Sequence, residues 1–175
     1  MNDMKKIYIA ALKEETIGLK KFFHSGVGKI NATIMTLELI SEFKPDMIIN
    51  YGTAGSVNKN LSGLIKCTKF IQRDMDARGL LNFKLGETPF DKISTIQFGS
   101  DGKICATGDS FLKEKISIKC DVVDMEAYAI AKVCKIKNIN FKCYKYITDN
   151  INKNSDKDWL QNCSKGAKLF LDKLL

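Results

Sequence analysis

Histidine and arginine are almost missing from this 175-residue chain: His24 is the only histidine, and Arg73 and Arg78 are the only arginines. The six cysteines, at 67, 105, 120, 134, 143 and 163, form no C-x-x-C pair. A Cys/His zinc site therefore has little to be built from. Most of these cysteines stand in apolar segments, where a free thiol acts as a small hydrophobe, so a reducing, cytoplasmic compartment is expected. No apolar run approaches the roughly 20 residues that a membrane span needs. The short run at 7–12 ends in Lys13-Glu14-Glu15 without a small-residue cleavage site, and it reads as a first β-strand rather than a signal peptide. The net charge of +8 invites a nucleic-acid reading, but nearly all of it is lysine. Specific recognition of phosphates and bases leans on arginine forks. A lysine-rich solvated surface accounts for the charge, so neither a nucleic-acid nor a membrane partner is expected.

What the chain does have is an alternation of strand-like and helix-like stretches. Strands are expected at 6–12, 22–26, 47–51, 64–71, 93–98, 103–107, 121–124 and 141–147. A helix is expected from 28 to before Pro45, with Ile30, Ile34, Leu37 and Ile40 spaced as one face. Further helices are expected at 111–116 and 125–135. A closing amphipathic one is expected at 156–174, with Trp159, Ala167, Phe170 and Leu174 apolar. Residues 73–92, with Gly79, Gly86 and Pro89, look irregular, and 52–55 reads as a glycine-rich turn. There is no repeat, low-complexity block or linker, so residues 1–175 are expected to form a single domain. The alternation predicts an α/β fold with part of its sheet parallel.

In such sheets ligands bind beyond the carboxyl ends of the strands. Nearly every expected strand there delivers a carboxylate or a small residue: Glu14-Glu15, Gly26-Val27-Gly28-Lys29, Gly52-Thr53-Ala54-Gly55, Gly108-Asp109-Ser110-Phe111, Asp124-Met125-Glu126 and Thr148-Asp149-Asn150. Taken singly, each is also ordinary turn chemistry; the collective placement at one edge is what points to a site. Gly26-Val27-Gly28-Lys29 is neither a P-loop nor a dinucleotide fingerprint, because Phe23, Ile30 and Asn31 stand where glycine or a hydroxyl would be required.

At these motifs the sequence resembles the nucleoside phosphorylase and nucleosidase superfamily, and within it the 5′-methylthioadenosine/S-adenosylhomocysteine nucleosidases. The resembling segments are 11–15, Ser25-Gly26-Val27-Gly28-Lys29-Ile30-Asn31-Ala32, 44–55, Thr107-Gly108-Asp109-Ser110-Phe111, 123–131 and Ile147-Thr148-Asp149. They occur in the family's order across nearly the whole chain. The resemblance implies a three-layer, strongly twisted mixed sheet flanked by helices, and cleavage of a purine N-glycosidic bond through an oxocarbenium-like state. It implies that Asp149 protonates purine N7, that Glu15 activates water, and that Glu126 binds the ribose hydroxyls with Met125 packing on the sugar. Phe111 would stack on the base, with the Leu112 backbone beside it. Thr53, Ala54, Gly55, Asp124 and Lys145 would complete the substrate-binding set. No metal or organic cofactor is called for, and the implied partners are a small purine nucleoside and a second copy of the chain in a homodimer.

Several positions bear on which reaction is run. Phosphorylases of the superfamily carry an arginine where this chain has Asn50, and a buried phosphate needs such a cation, so water is the favoured acceptor. A phosphate-dependent phosphorylase and a catalytically degenerate nucleoside-binding paralogue remain the alternatives. The stretch between Glu15 and Ser25 is shorter than in the usual nucleosidase, Thr53 replaces a serine, and Lys145 replaces an arginine and loses its planar fork. An exposed place on an alternating strand is the other reading of Lys145. The segment from Arg73 to Leu81 resembles one that reaches into a partner's site. It makes Arg78 and Leu81 the dimer-supplied candidates near the 5′ group, with Arg78 as a contact for a carboxylate-bearing tail.

Overall fold

The structure is a computed structural model that describes residues 4–91, 93–114 and 116–174. Its strands are β1 (Lys6–Ala10), β2 (Phe22–His24), β3 (Met47–Ser56), β4 (Leu64–Gln72), β5 (Ile96–Gln97), β6 (Lys103–Thr107), β7 (Val122–Asp124) and β8 (Asn140–Asp149). Its helices are α1 (Lys29–Phe43), α2 (Ala127–Ile136), α3 (Ser155–Asn162) and α4 (Gly166–Leu174). All eight strands join one mixed sheet. β1 lies parallel between β2 and β3, and β8 lies parallel to β3 and antiparallel to β4. β4 continues parallel to β6, β6 parallel to β7, and β7 returns antiparallel to the end of β3 at Gly55 and Ser56. The pairings β3–β8–β4–β6–β7–β3 thus close a circuit, which a strongly twisted sheet permits.

Strand alternation sends side chains to the two faces in turn. Ile48 of β3 joins Ile9, Phe70, Val122 and Phe141 under α1 and α2, whereas Met47, Ile49 and Tyr51 face the opposite side. There Tyr51 stacks on Phe170 of α4, ring centroids 4.6 Å apart. Helices therefore cover both faces, giving the α/β layering that the sequence implies.

Four expectations change. The segment 52–55 is not a turn: β3 runs through it to Ser56, with a register shift at Ala54/Gly55. No helix forms at 111–114 or at 116, and Lys115 lies outside the described residues. The strand expected at 93–98 shrinks to β5, an edge strand held only by β4. The closing helix is broken at 163–165 into α3 and α4, and Gly166, which opens α4, packs so closely on Tyr146 that a β-carbon there would clash with the ring. Within it Ala167 and Phe170 are buried as expected, and Trp159 is only half-buried; the Leu174 side chain lies outside the described set.

Most of the face expected of α1 is also turned outward, Ile40 alone of its four residues packing against the core. Ile30 is 74% exposed, and Ile34 and Leu37 are exposed too, while Ala32, Thr36 and Leu39 are buried. Helix α1 carries two apolar stripes, and the one with small residues lets it approach α2 closely. The helix ends where Lys44 turns left-handed (φ 46°) before Pro45, a residue that disfavours helix in its predecessor.

Candidate active site

The strands deliver their carboxyl ends to one cavity of about 190 Å³, lined by residues at or just past the ends of β1, β3, β4, β6, β7 and β8. Glu15 comes from the single helical turn Lys13–Thr16 after β1 and is buried. Thr53 donates to its Oε1 twice, from the backbone N–H at 2.8 Å and from the hydroxyl at 2.7 Å. The Leu12 N–H donates to Oε2 at 3.1 Å. Three donors fix the carboxylate's orientation. Gly52 makes this approach possible: a β-carbon there would fall 3.2 Å from Lys145 Nζ and 3.3 Å from Glu15 Oε1.

Lys145 is fully buried and pairs with Asp124, Nζ to Oδ2 2.8 Å, so its exposed-strand reading does not hold. Asp124 also accepts from the Thr107 hydroxyl at 2.5 Å and from the Ala127 N–H at 2.8 Å, where it caps α2. Burial opposes both charges, but each holds the other ionised: the Asp124 carboxyl titrates below its usual range and the Lys145 ammonium well above its own. Asp124 thus reaches the cavity wall with both oxygens engaged, and it holds the ammonium in place.

Glu126 stands one turn-position away and accepts from the Gly28 N–H at 2.9 Å. Its pKa is pushed up to about 7, first by burial and then by the Asp124 charge beside it. Met125 lines the same wall. At the far end Asp149 accepts from the Thr148 hydroxyl (2.9 Å) and the Ile151 N–H (3.1 Å). Phe111, 45% exposed, and Leu112 stand by it at the mouth, and Thr53, Ala54 and Gly55 form the floor.

Among the sequence-based candidates, Glu15, Thr53, Ala54, Gly55, Phe111, Leu112, Asp124, Met125, Glu126 and Asp149 line the cavity, and Lys145 sits directly behind it. Arg78 and Leu81 do not. Arg78 is on the surface, paired with Asp76 at 2.6 Å, and Leu81 is 70% exposed. Asn50 is buried within β3 and gives its amide to the carbonyls of Ile9 and Tyr51. His24 bonds Thr16 at 2.8 Å outside the cavity lining.

Among the lining residues outside the candidate set, Arg73 and Trp159 stand out, and Arg73 was read instead as the start of a segment that reaches into a partner's site. Arg73 directly follows β4, where the strand-end rule already pointed, and it donates to the carbonyls of Gly108 (2.9 Å) and Ser110 and to the Ser110 hydroxyl (3.0 Å). It thereby holds the loop that carries Phe111. Trp159 was read only as a core residue of the closing helix; it reaches the cavity from α3.

A family model described as the phosphorylase superfamily matches residues 6–98. The 5′-methylthioadenosine/S-adenosylhomocysteine nucleosidase of Buchnera aphidicola (subsp. Acyrthosiphon pisum, strain APS) is 30% identical, over 97% of this chain and 86% of that protein. The enzyme of the same name from Staphylococcus aureus (strain MRSA252) is 30% identical over 82% of this chain and 73% of its own. Among solved structures, the Helicobacter pylori 5′-methylthioadenosine/S-adenosylhomocysteine nucleosidase with butyl-thio-DADMe-Immucillin-A superposes with a TM-score of 0.85 at 22% identity, covering 98% of each chain. Native Helicobacter pylori futalosine hydrolase superposes at 0.84 and 22%, covering 94% of this chain and 93% of that one. At these identities the superpositions speak to the fold.

Proposed function

From the premise that the chain belongs to the phosphorylase superfamily, we propose that it hydrolyses the N-glycosidic bond of 5′-methylthioadenosine/S-adenosylhomocysteine-type nucleosides, releasing adenine and a ribose derivative. The observation that carries this reading is a cavity edged by four carboxylates, Glu15, Asp124, Glu126 and Asp149, whose two neighbouring cations are already engaged. Lys145 is paired with Asp124, and Arg73 turns its two terminal nitrogens to the Gly108 and Ser110 carbonyls and the Ser110 hydroxyl. Among the described residues Arg73 is the one cation in the lining, against four carboxylates, and such an anionic wall suits a sugar that becomes cationic.

The division of labour follows. The base lies against Phe111 with its edge toward Asp149, which gives a proton to N7 as the C1′–N9 bond breaks. Glu126, ionised, holds the ribose hydroxyls and offsets the developing positive charge. Glu15 takes a proton from the attacking water, whose oxygen bonds to C1′. The groups serving the leaving atom and the water are separate, as in glycoside hydrolysis. The curated relatives' shared name supports the substrate class.

A homodimer belongs to this reading. The outward stripe of Ile30, Ile34 and Leu37 on α1, together with exposed Val27 at the cavity edge, is an apolar face that a second copy would cover. A partner docked there would bring its own Leu81 and Arg78 toward the open mouth. A cytoplasmic setting fits the six free cysteines. The test is adenine release from methylthioadenosine, followed by chromatography in phosphate-free buffer and with phosphate added. Equal release in both is expected. Release only with phosphate would make the chain a phosphorylase; no release from any purine nucleoside would make it a binding protein.

A further inference from the structure

Trp159 is the only tryptophan in the chain, and its indole N–H donates to Thr53 Oγ1 at 2.9 Å. That same oxygen donates its one proton to Glu15 Oε1 at 2.7 Å. A hydroxyl has a single proton and can rotate it toward any acceptor. With the indole N–H filling an acceptor side of the oxygen, the Thr53 proton is left pointing at Glu15. A phenylalanine at 159 would fill similar space and leave that rotor unguided.

We propose that Trp159 is a positioning residue for the water-activating carboxylate, acting on Glu15 through the Thr53 hydroxyl. The assignment rests on the nucleosidase reading above. The supporting geometry is independent of the indole itself. Helix α3 is fastened near the cavity at a second point, where Asn162 Nδ2 donates to the Thr148 carbonyl at 2.9 Å. At its first turn, Asp156 pairs with Lys113 at 2.9 Å on the loop after Phe111. The backbone of Trp159 is therefore held whether or not its N–H finds an acceptor, and loss of the N–H alone is a local change.

The helix also joins the two ends of the chemistry. Trp159 reaches the Glu15 end, and Asn162 holds the carbonyl preceding Asp149. Because Glu15 acts on water after the nucleoside is bound, an error in its aim lowers turnover and leaves nucleoside affinity alone.

The experiment is steady-state adenine release by Trp159→Phe, Thr53→Ala, Thr53→Ser and the double variants Trp159→Phe/Thr53→Ala and Trp159→Phe/Thr53→Ser, with melting temperatures measured alongside. Trp159→Phe is expected to lose roughly 5- to 20-fold in kcat, the scale of one buried hydrogen bond, with KM within about twofold of wild type. In the Thr53→Ala background the same change should cost nothing further, since the hydroxyl it directs is gone. In the Thr53→Ser background it should cost its full amount. Trp159→Phe at wild-type kcat, or losses that multiply in the double variant, overturns the assignment while the nucleosidase reading stands. A wild-type chain that releases no adenine overturns both.

Discussion

The floor of the cavity and its rim are built in opposite ways. Glu15, Thr53, Asp124, Glu126 and Asp149 sit near or just past strand ends, and Lys145 lies within β8; five of the six are buried, and all but Asp149, which is held by its neighbours Thr148 and Ile151, are fixed by hydrogen bonds or an ion pair to distant parts of the chain. The rim is different. Phe111 and Leu81 are exposed on irregular segments, and Arg78 pairs only with Asp76, two residues away. In the proposed reading, one chain carries the groups for bond cleavage, and a partner completes the surface that meets a 5′ substituent. Chemistry and 5′ selectivity should then respond to different substitutions.

The floor should show the largest effects. Asp149→Asn preserves shape but has no proton to give, and kcat for adenine release is expected to fall by about 10²–10⁴-fold, the usual worth of general-acid catalysis. A riboside whose leaving group departs without a proton should lose little. Comparable losses on both substrates would show that Asp149 only shapes the cavity, and the floor would lose its claim to the chemistry.

Next in size is the ion pair beneath the floor. Lys145→Met leaves Asp124 buried beside Glu126 without its cation, and breaking such a pair costs about 3–5 kcal/mol of stability. Urea unfolding should show it as a lowered midpoint. Adding Asp124→Asn should restore much of the loss, since removing both charges together is far less costly than stranding one. A single variant as stable as wild type would mean that water reaches the pair and that the floor is less sealed than its packing indicates.

How much of this contrast the sequence carried depends on where each side chain's partners lie. The floor was legible because its residues follow strands whose apolar runs are local: Ile48-Ile49 ahead of Thr53, Val122-Val123 ahead of Asp124, and Tyr146-Ile147 ahead of Asp149. The Lys145–Asp124 pair was not, because alternation alone cannot tell a solvent face from the interior of a sheet that closes on itself. Helix α1 misled for a related reason. Its most regular stripe, Ile30-Ile34-Leu37, faces out, and which of two apolar stripes is buried is decided by α2, far along the chain. The continuous strand through 52–55 was hidden by its glycines, which serve close packing rather than a turn, Gly52 against Glu15 and Lys145 and Gly55 against Asp149, Ile151 and Val123. Trp159 and Thr53 lie 106 residues apart, and no local signal joins them.

Glu126 tests the floor by pH. Its pKa is raised from 4.5 to about 7 by burial and by Asp124, so between those values the folded chain keeps a proton that the unfolded chain has released. The contribution to stability is full below 4.5 and is lost as pH rises through about 7, amounting to about 3 kcal/mol at 1.36 kcal/mol per unit. Activity should run the other way, because only the ionised group serves the cationic sugar: kcat/KM should climb through about pH 7. Glu126→Gln should flatten both the stability slope and the activity rise. A stability slope of the opposite sign in wild type would mean that Glu126 is ionised in the folded chain, and that the anionic wall is more open to solvent than the floor's burial indicates.

The smallest expected effect belongs to the rim, and it is the one that bears on selectivity. Arg78 is exposed and its partner Asp76 is only two residues away, so its removal should leave folding untouched. If a partner chain carries Arg78 to the cavity mouth, its guanidinium meets the amino-acid tail of S-adenosylhomocysteine, whose carboxylate it can grip, but finds nothing charged on methylthioadenosine. Arg78→Ala is then expected to reduce kcat/KM for S-adenosylhomocysteine by roughly 3- to 10-fold, the worth of one exposed charged contact, while methylthioadenosine changes less than twofold. The selectivity should also vanish on dilution, or with Ile34→Asp on the outward stripe of α1, because both would separate the copies while leaving each floor intact. Equal losses on the two substrates would place Arg78 in general folding or docking. No loss on either would leave the mouth to be finished by some other part of the partner.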